Sequence, residues 1–212
     1  MIIEQLPVGP LVANCYLVAD EHSRRAAVID PGDEAERILA VIKKHRMQVD
    51  LIVLTHGHFD HLGAAGAIRT ATGAPVAVHE AELETVRTAR LRAKLFAGLD
   101  IDDPPSPDQL LHDNDIVRIG DQPFSVVFTP GHSPGHITLV GDGVAFDGDV
   151  VFAGGIGRTD LPGGDYQVLM ASIAARILTL TDDTVLYPGH GPATTVGRER
   201  RTNPFLVSLA SR

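Results

Sequence analysis

A single cysteine, Cys15, rules out an intramolecular disulfide and fits a reducing compartment. It sits in the apolar run 12–18 and reads as a small core residue, because nothing beside it in sequence would lower the thiol pKa enough to make a nucleophile. Tryptophan is absent and aromatics make up only 5%, so the core must be built from Val, Leu, Ile and Ala. No apolar run approaches the roughly 18 residues of a membrane helix. The opening MIIEQLPVGP has no basic stretch followed by an apolar one and no cleavage site, so a cytoplasmic protein without a targeting segment is expected. Cations are outnumbered, 18 Lys and Arg against 27 Asp and Glu, and the net charge of −9 would repel a nucleic-acid backbone. The short group Arg198, Arg200 and Arg201, interleaved with Glu199, reads as a solvated helix face. Nucleic acid and membrane are therefore excluded as expected partners, which leaves a small-molecule substrate. No sequence signal bears on oligomeric state.

What is present is an ordinary globular balance of 44% hydrophobic and 21% charged residues, enough for one domain over 1–212 with a sizeable core. Apolar runs at 2–6, 15–19 and 26–29 read as strands, and Asp30-Pro31-Gly32 as a turn. A helix opens at Asp33, carries Ile38, Leu39, Val41 and Ile42 inside, and ends near Met47. Then follow a short central strand at 51–54, a helix at 62–72 stopped by Gly73, a strand at 75–78 and a helix at 80–95. The Pro-rich stretch 100–108 is expected to form a wall or lid of a site. Strands at 116–119, 124–128, 137–140 and 144–146 precede a Gly-rich loop at 154–165, a helix at 166–180 and a last strand at 185–187. Two strand sets, each followed by helices, predict an α/β chain with two mixed sheets face to face and helices outside.

The chemistry is concentrated in Thr55-His56-Gly57-His58-Phe59-Asp60-His61. His56, His58 and Asp60 alternate, so extended backbone would project them to one side, and His61 sits where the loop turns into the next helix. Neutral imidazoles and carboxylates are what borderline divalent metals prefer. The local pattern recurs: an apolar strand, a turn with Gly, then His132, Asp149 or His190. Gly57, Gly131, Gly148 and Gly189 would let backbone pass close to metals. The set His56, His58, Asp60, His61, His132, Asp149 and His190 exceeds one tetrahedral site and suits two ions with a shared carboxylate. Such a pair, roughly 3.5–4 Å apart, clamps a water and lowers its pKa toward 7. Two divalent ions are expected, zinc first, with iron or manganese as the other options.

These motifs, T-H-G-H-F-D-H at 55–61, G-H-S-P-G-H at 131–136, G-D at 148–149 and P-G-H-G at 188–191, resemble the metallo-β-lactamase superfamily, as does Val28-Ile29-Asp30-Pro31-Gly32. The resemblance spans about residues 2–206 and implies an αββα four-layer sandwich with the metals at one edge. It assigns His56, His58 and His132 to one metal and Asp60, His61 and His190 to the other, with Asp149 as the bridge. Gly154-Gly155-Ile156-Gly157-Arg158-Thr159-Asp160, Pro162-Gly163-Gly164-Asp165 and Asn203-Pro204-Phe205-Leu206 look most like the short glyoxalase II branch. That branch implies hydrolysis of S-acyl thioesters such as S-lactoylglutathione, with Asp60 orienting the attacking water. Long glyoxalase II proteins add a C-terminal helical region that helps hold glutathione. A chain stopping at Arg212 is expected to hold its thiol carrier by few contacts.

Within the superfamily, His58 argues against the di-iron oxygen reductases, which have Glu there. His61, and the distance of Cys15 from the motifs, argue against β-lactam hydrolysis. Lactonases share the whole ligand set, and persulfide dioxygenases, which use one iron, share a similar Gly-Arg-Thr-Asp loop. Both stay as alternatives. Arg158 is the expected substrate-binding residue, through a carboxylate, with an ion pair to Asp160 or Asp165 as its other reading. Asp30 is expected to orient a ligand His, His136 to support the site from behind, and Tyr187 to pack in its strand. His22, His45, His79 and His112 are expected at the surface.

Overall fold

The computed structural model describes residues 1–207. The first sheet is built from β1 (Ile2–Val8), β2 (Ala13–Ala19), β3 (Arg25–Ile29), β4 (Gln48–Val53), β5 (Val76–His79) and β6 (Gln109–Leu111), in that order. It is antiparallel as far as β3 and parallel beyond. The second contains β7 (Ile116–Ile119), β8 (Gln122–Phe128), β9 (Ile137–Val140), β10 (Val144–Gly148), β13 (Val185–Pro188) and β14 (Thr194–Thr195), in spatial order β14-β13-β10-β9-β8-β7. A small hairpin of β11 (Val151–Phe152) and β12 (Gly155–Ile156) stands apart from both. The helices are α1 (Ala35–His45), α2 (Phe59–Leu62), α3 (Ala65–Thr72), α4 (Leu83–Ala97), α5 (Tyr166–Ser172) and α6 (Val196–Thr202).

The alternation of side chains along each strand explains the layering. Tyr16 and Val18 face the second sheet, whereas Leu17 between them faces the helices. Ala27 and Ile29 against Val28, and Ala77 against Val76 and Val78, divide the same way. One apolar layer lies under α1, α3 and α4, and a second joins the sheets through Phe124, Val126, Ile137 and Phe146. A third packs Ala145 and Leu186 against Leu169, Ile173 and Val196. The strands that two layers cover are apolar on both faces, and β2 is buried throughout. The result is the αββα arrangement expected from the sequence. No helix among the described residues is long and apolar enough to cross a membrane.

Several boundaries differ from the sequence reading. The helix expected at 62–72 is two pieces, because Ala64 donates its N–H to Pro31 O (2.9 Å), outside the helix. Gly63 lies so close to the Gly32 carbonyl that a Cβ would collide with it. The helix at 166–180 becomes α5 followed by a π-helical turn, Ile173–Ile177. The Gly-rich loop opens with β12, which pairs back on β11 just ahead of the loop, and the strand at 185–187 is not the last, since β14 and α6 follow. The 100–108 stretch is tied down beside α3 and α4 by Arg69–Asp108 (2.6 Å) and by Arg90 with Asp100 and Asp103. It is not among the residues lining the cavity over the His/Asp cluster.

Candidate metal centre

Strands β8, β10 and β13 run in one direction, because β10 is parallel to β13 and both β8 and β10 are antiparallel to β9. Their ends deliver His132, Asp149 and His190 to one rim. The end of β4 in the other sheet delivers Thr55 and His56 to the same place. After β4 the backbone bends at Thr55 and His56, His58 is extended, and α2 begins at Phe59. That turn, rather than the extended run anticipated from the alternation, carries Asp60 and His61 away from His56 and His58 toward His190.

Two groups result. Potential ligand atoms of His56, His58 and His132 all lie within 4.8 Å of one another, and so do those of Asp60, His61 and His190. Asp149 stands between them, with Oδ2 at 3.4 Å from His132 Nε2 and 3.7 Å from His190 Nε2, and Oδ1 at 3.5 Å from His61 Nε2. His190 Nε2 is 3.3 Å from Asp60 Oδ2. All seven predicted side chains are therefore brought together. Asp30, His56 and His61 satisfy the same distance test, but the Asp30 carboxylate is already engaged. It accepts from Thr55 N (2.7 Å) and Thr55 Oγ1 (2.6 Å) and faces His61 Nδ1 (3.1 Å). It orients the cluster rather than adding to it, as expected.

The outward nitrogens fix the tautomers. His132 Nδ1 donates to Arg158 O (2.7 Å) and His61 Nδ1 to Asp30. Thr55 Oγ1 spends its proton on Asp30, so at 3.0 Å His56 Nδ1 is the donor to it. Each of these rings then turns an Nε2 lone pair inward. His56 Nε2, His61 Nε2 and Asp149 Oδ1 are buried without any hydrogen-bond partner. His132 Nε2 faces His58 Nδ1 at 2.9 Å, a repulsive pairing of lone pairs unless a cation or proton separates them. Buried acceptors are rarely left unpaired. Their convergence, and the mixture of imidazole and carboxylate, fit divalent metal.

Electrostatics agree. Burial, reinforced by neighbouring imidazoles, holds His56 and His58 well below the usual histidine range. Burial also opposes charge on His61, but the carboxylates of Asp60, Asp149 and Asp30 outweigh it and push the ring up to about 10. Asp60 is held below the usual carboxylate range: burial opposes this, and His61 and His190 overcome it. The anionic half of the site thus attracts positive charge, which a metal supplies in place of a proton. Gly189 is required by close approach, since a Cβ there would strike Asp149 Oδ1 and His61.

Three supporting residues are not marked in the sequence: Glu82, Asn14 and Tyr16. Glu82, fully buried, accepts from Gly57 N (2.9 Å) through Oε2 and from Gly135 N (2.6 Å) through Oε1. It ties the His56–His58 loop to the His132 loop. Asn14 and Tyr16 likewise hold Pro188 O at 2.8 and 2.6 Å, fixing the turn before His190. His136 supports the site as anticipated: its Nε2 accepts from Asp149 N (3.0 Å) and its ring stacks on His56. Tyr187 packs on Phe146. His79 is buried against Phe128 rather than at the surface, and His45 is half-buried and pairs with Glu4.

A cavity of about 400 Å³ opens over the cluster, walled by Leu11, Phe59, Phe96, Phe152, Ile156 and Leu161, with Arg92 and Arg158 also facing it. The sequence matches the family described as the metallo-beta-lactamase superfamily over residues 8–190. The chain belongs to that superfamily. Hydroxyacylglutathione hydrolase GloC of Haemophilus influenzae is 41% identical, over 98% of this chain and 99% of its own. A metallo-beta-lactamase superfamily chain with this site and these relatives is a metal-dependent hydrolase. Among solved structures, TTHA1623 in a di-iron-bound form is 42% identical with a TM-score of 0.88, covering 96% of this chain and 100% of its own. BLEG-1, described as a B3 metallo-beta-lactamase, is 39% identical with a TM-score of 0.91, covering 97% and 99%. ETHE1 from Myxococcus xanthus is 30% identical with a TM-score of 0.81, covering 98% of this chain and 85% of its own.

Proposed function

We propose that this chain is a dinuclear thioester hydrolase of glyoxalase II type, acting on S-acyl thioesters such as S-lactoylglutathione. The observation that carries the reading is Asp149, one carboxylate in reach of both His/Asp groups. His56, His58 and His132 would hold one ion, Asp60, His61 and His190 the other, and Asp149 both; zinc suits the donors, and iron or manganese would also be accepted. When bound, such ions polarise a carbonyl oxygen and make water a nucleophile at neutral pH. Asp60, kept ionised by His61 and His190, orients the attacking water with the carboxylate oxygen not facing His190. The apolar wall packs against the apolar part of the substrate and excludes bulk water. No side-chain nucleophile is needed, and Cys15 is unsuited: it is buried in β2, and burial pushes its thiol pKa up. The name of the Haemophilus influenzae relative supports the substrate class.

A mononuclear iron persulfide dioxygenase is the second reading, favoured by the likeness to ETHE1 and by the Gly157–Asp160 loop. The complete second group, Asp60, His61 and His190, favours the dinuclear hydrolase over it. Metal-loaded protein assayed against S-lactoylglutathione, a persulfide with oxygen uptake, an acyl lactone and a β-lactam separates the possibilities. Thioester hydrolysis with weak saturation is expected. A fully metallated sample that leaves S-lactoylglutathione untouched excludes the proposal.

Arg158 keeps a reduced role. Its Nε and Nη2 donate to Asp160 at 2.7 and 2.6 Å, so its charge is offset locally and only Nη1 and the second N–H of Nη2 remain for substrate. Arg158→Ala is expected to raise KM for S-lactoylglutathione by less than about ten-fold and to leave kcat unchanged, because uniform binding is what it removes. Steady-state kinetics at constant metal content check this. A fall in kcat at unchanged KM would instead place Arg158 in the transition state.

A further inference from the structure

We propose that Arg92, on α4, is the anchor for a carboxylate on the thiol-carrier end of the substrate, so that the cavity selects anionic thioesters; this rests on the thioesterase reading above. In sequence Arg92 is not distinguished from its neighbours in a helix rich in Arg and Lys. The structure separates it from them. Arg87 is forked on Glu84 at 2.8 and 2.6 Å, Arg90 pairs with Asp100 and Asp103, and Arg69 pairs with Asp108. Arg158, the other cation of the cavity, is taken by Asp160. Arg92 is half-buried, lines the cavity with His58, His132 and Asp149, and has no carboxylate within ion-pair distance among the described residues.

Its hydrogen bonds are to neutral acceptors. Nε donates to Thr88 Oγ1 at 3.0 Å, one helical turn back, and Nη1 to Pro162 O at 3.3 Å. These two contacts hold the guanidinium between α4 and the 161–164 loop and leave part of its five-donor fork free. Taking a cation partly out of water without an anion is unfavourable, and the acids that share this cavity, Asp60 and Asp149, are committed to the histidine cluster. An incoming carboxylate would complete Arg92 in the planar, bidentate manner that guanidinium favours.

The surroundings specify the rest of the ligand. Phe96 is four residues on from Arg92, on the same helical face, and lines the cavity as well. Phe152, Ile156 and Leu161 line the same cavity and add to its apolar surface. The fitting substrate has its reacting carbonyl at the cluster, an apolar stretch along this wall and a carboxylate at Arg92. The overall charge of −9 supplies no general attraction for such an anion, so the local cation must.

The test uses metal-loaded full-length protein and S-methylglutathione, a thioether that cannot be hydrolysed, beside the same compound with both carboxyls esterified. Binding is measured by calorimetry, and metal content on the same samples. Arg92→Met is expected to weaken S-methylglutathione binding about ten-fold or more and to leave the diester within about two-fold. Arg92→Lys should recover part of the loss, and Arg87→Met, on the same helix, should change neither ligand. With S-lactoylglutathione, Arg92→Met should raise KM and spare kcat. The proposal is overturned if Arg92→Met binds the thioether like wild type, if it weakens both ligands equally, or if wild type does not bind the thioether. Normal thioether binding by a wild-type protein that hydrolyses no thioester would defeat the thioesterase reading alone and leave the Arg92 assignment standing.

Discussion

Asp149→Ala is expected to lose at least one metal ion and most of its turnover. The carboxylate sits 3.4–3.7 Å from nitrogens of three histidines belonging to both groups. Two cations held close together repel each other, and this is the anion that stands between them. Altering merely the groups that orient metal ligands costs roughly 10–100-fold in affinity or activity, so removing a shared ligand should exceed about 100-fold. The backbone is not expected to collapse, since Asp149 N still donates to His136 and Gly189 N to Gly148 O. Elemental analysis and kinetics on one preparation check the result. Full metal content with normal turnover would show that the carboxylate does not bridge.

Glu82→Ala should have the largest effect on stability among the supporting residues, although its side chain is not proposed to touch metal or substrate. It would leave Gly57 N and Gly135 N buried without acceptors. Each unsatisfied group costs about 1–3 kcal/mol. At about 2–4 °C per kcal/mol for a chain of this size, Tm should fall by roughly 5–20 °C. Metal affinity should fall with it, because the loops bearing His56, His58 and His132 would no longer share an anchor. Glu82→Gln keeps one acceptor but turns an NH₂ group toward the other N–H, so it should fall in between. Thermal unfolding with and without chelator separates the two effects. A Glu82→Ala protein with wild-type Tm and wild-type metal affinity would show that this carboxylate ties nothing together.

What could be read from the sequence was local. Each of His132, Asp149 and His190 follows an apolar strand and a glycine-bearing turn within a few residues, so both strand and ligand were visible in one short window. The layering was visible too, because it follows from alternation along single strands. Features that depend on distant partners were hidden. The break at Gly63 depends on the carbonyls of Pro31 and Gly32, more than thirty residues earlier. Glu82 lies in a segment that reads as an ordinary charged helix, and its two partners are separated from it by 25 and 53 positions. Arg92 was hidden for the opposite reason: what marks it is the carboxylate it lacks, and sequence neighbours such as Glu84 suggest pairings that only geometry can assign. The 100–108 stretch shows the same limit, since its proline content signals a loop but not which surface the loop covers.

Two divalent ions are expected between His56, His58, Asp60, His61, His132, Asp149 and His190. Anomalous diffraction from crystals of the metal-loaded protein, recorded at the absorption edge of the metal supplied, tests it most directly. Two peaks roughly 3.5–4 Å apart are expected, one beside His56, His58 and His132, the other beside Asp60, His61 and His190, with Asp149 contacting both. A single peak under saturating metal, with Asp60, His61 and His190 left without an ion, would contradict it.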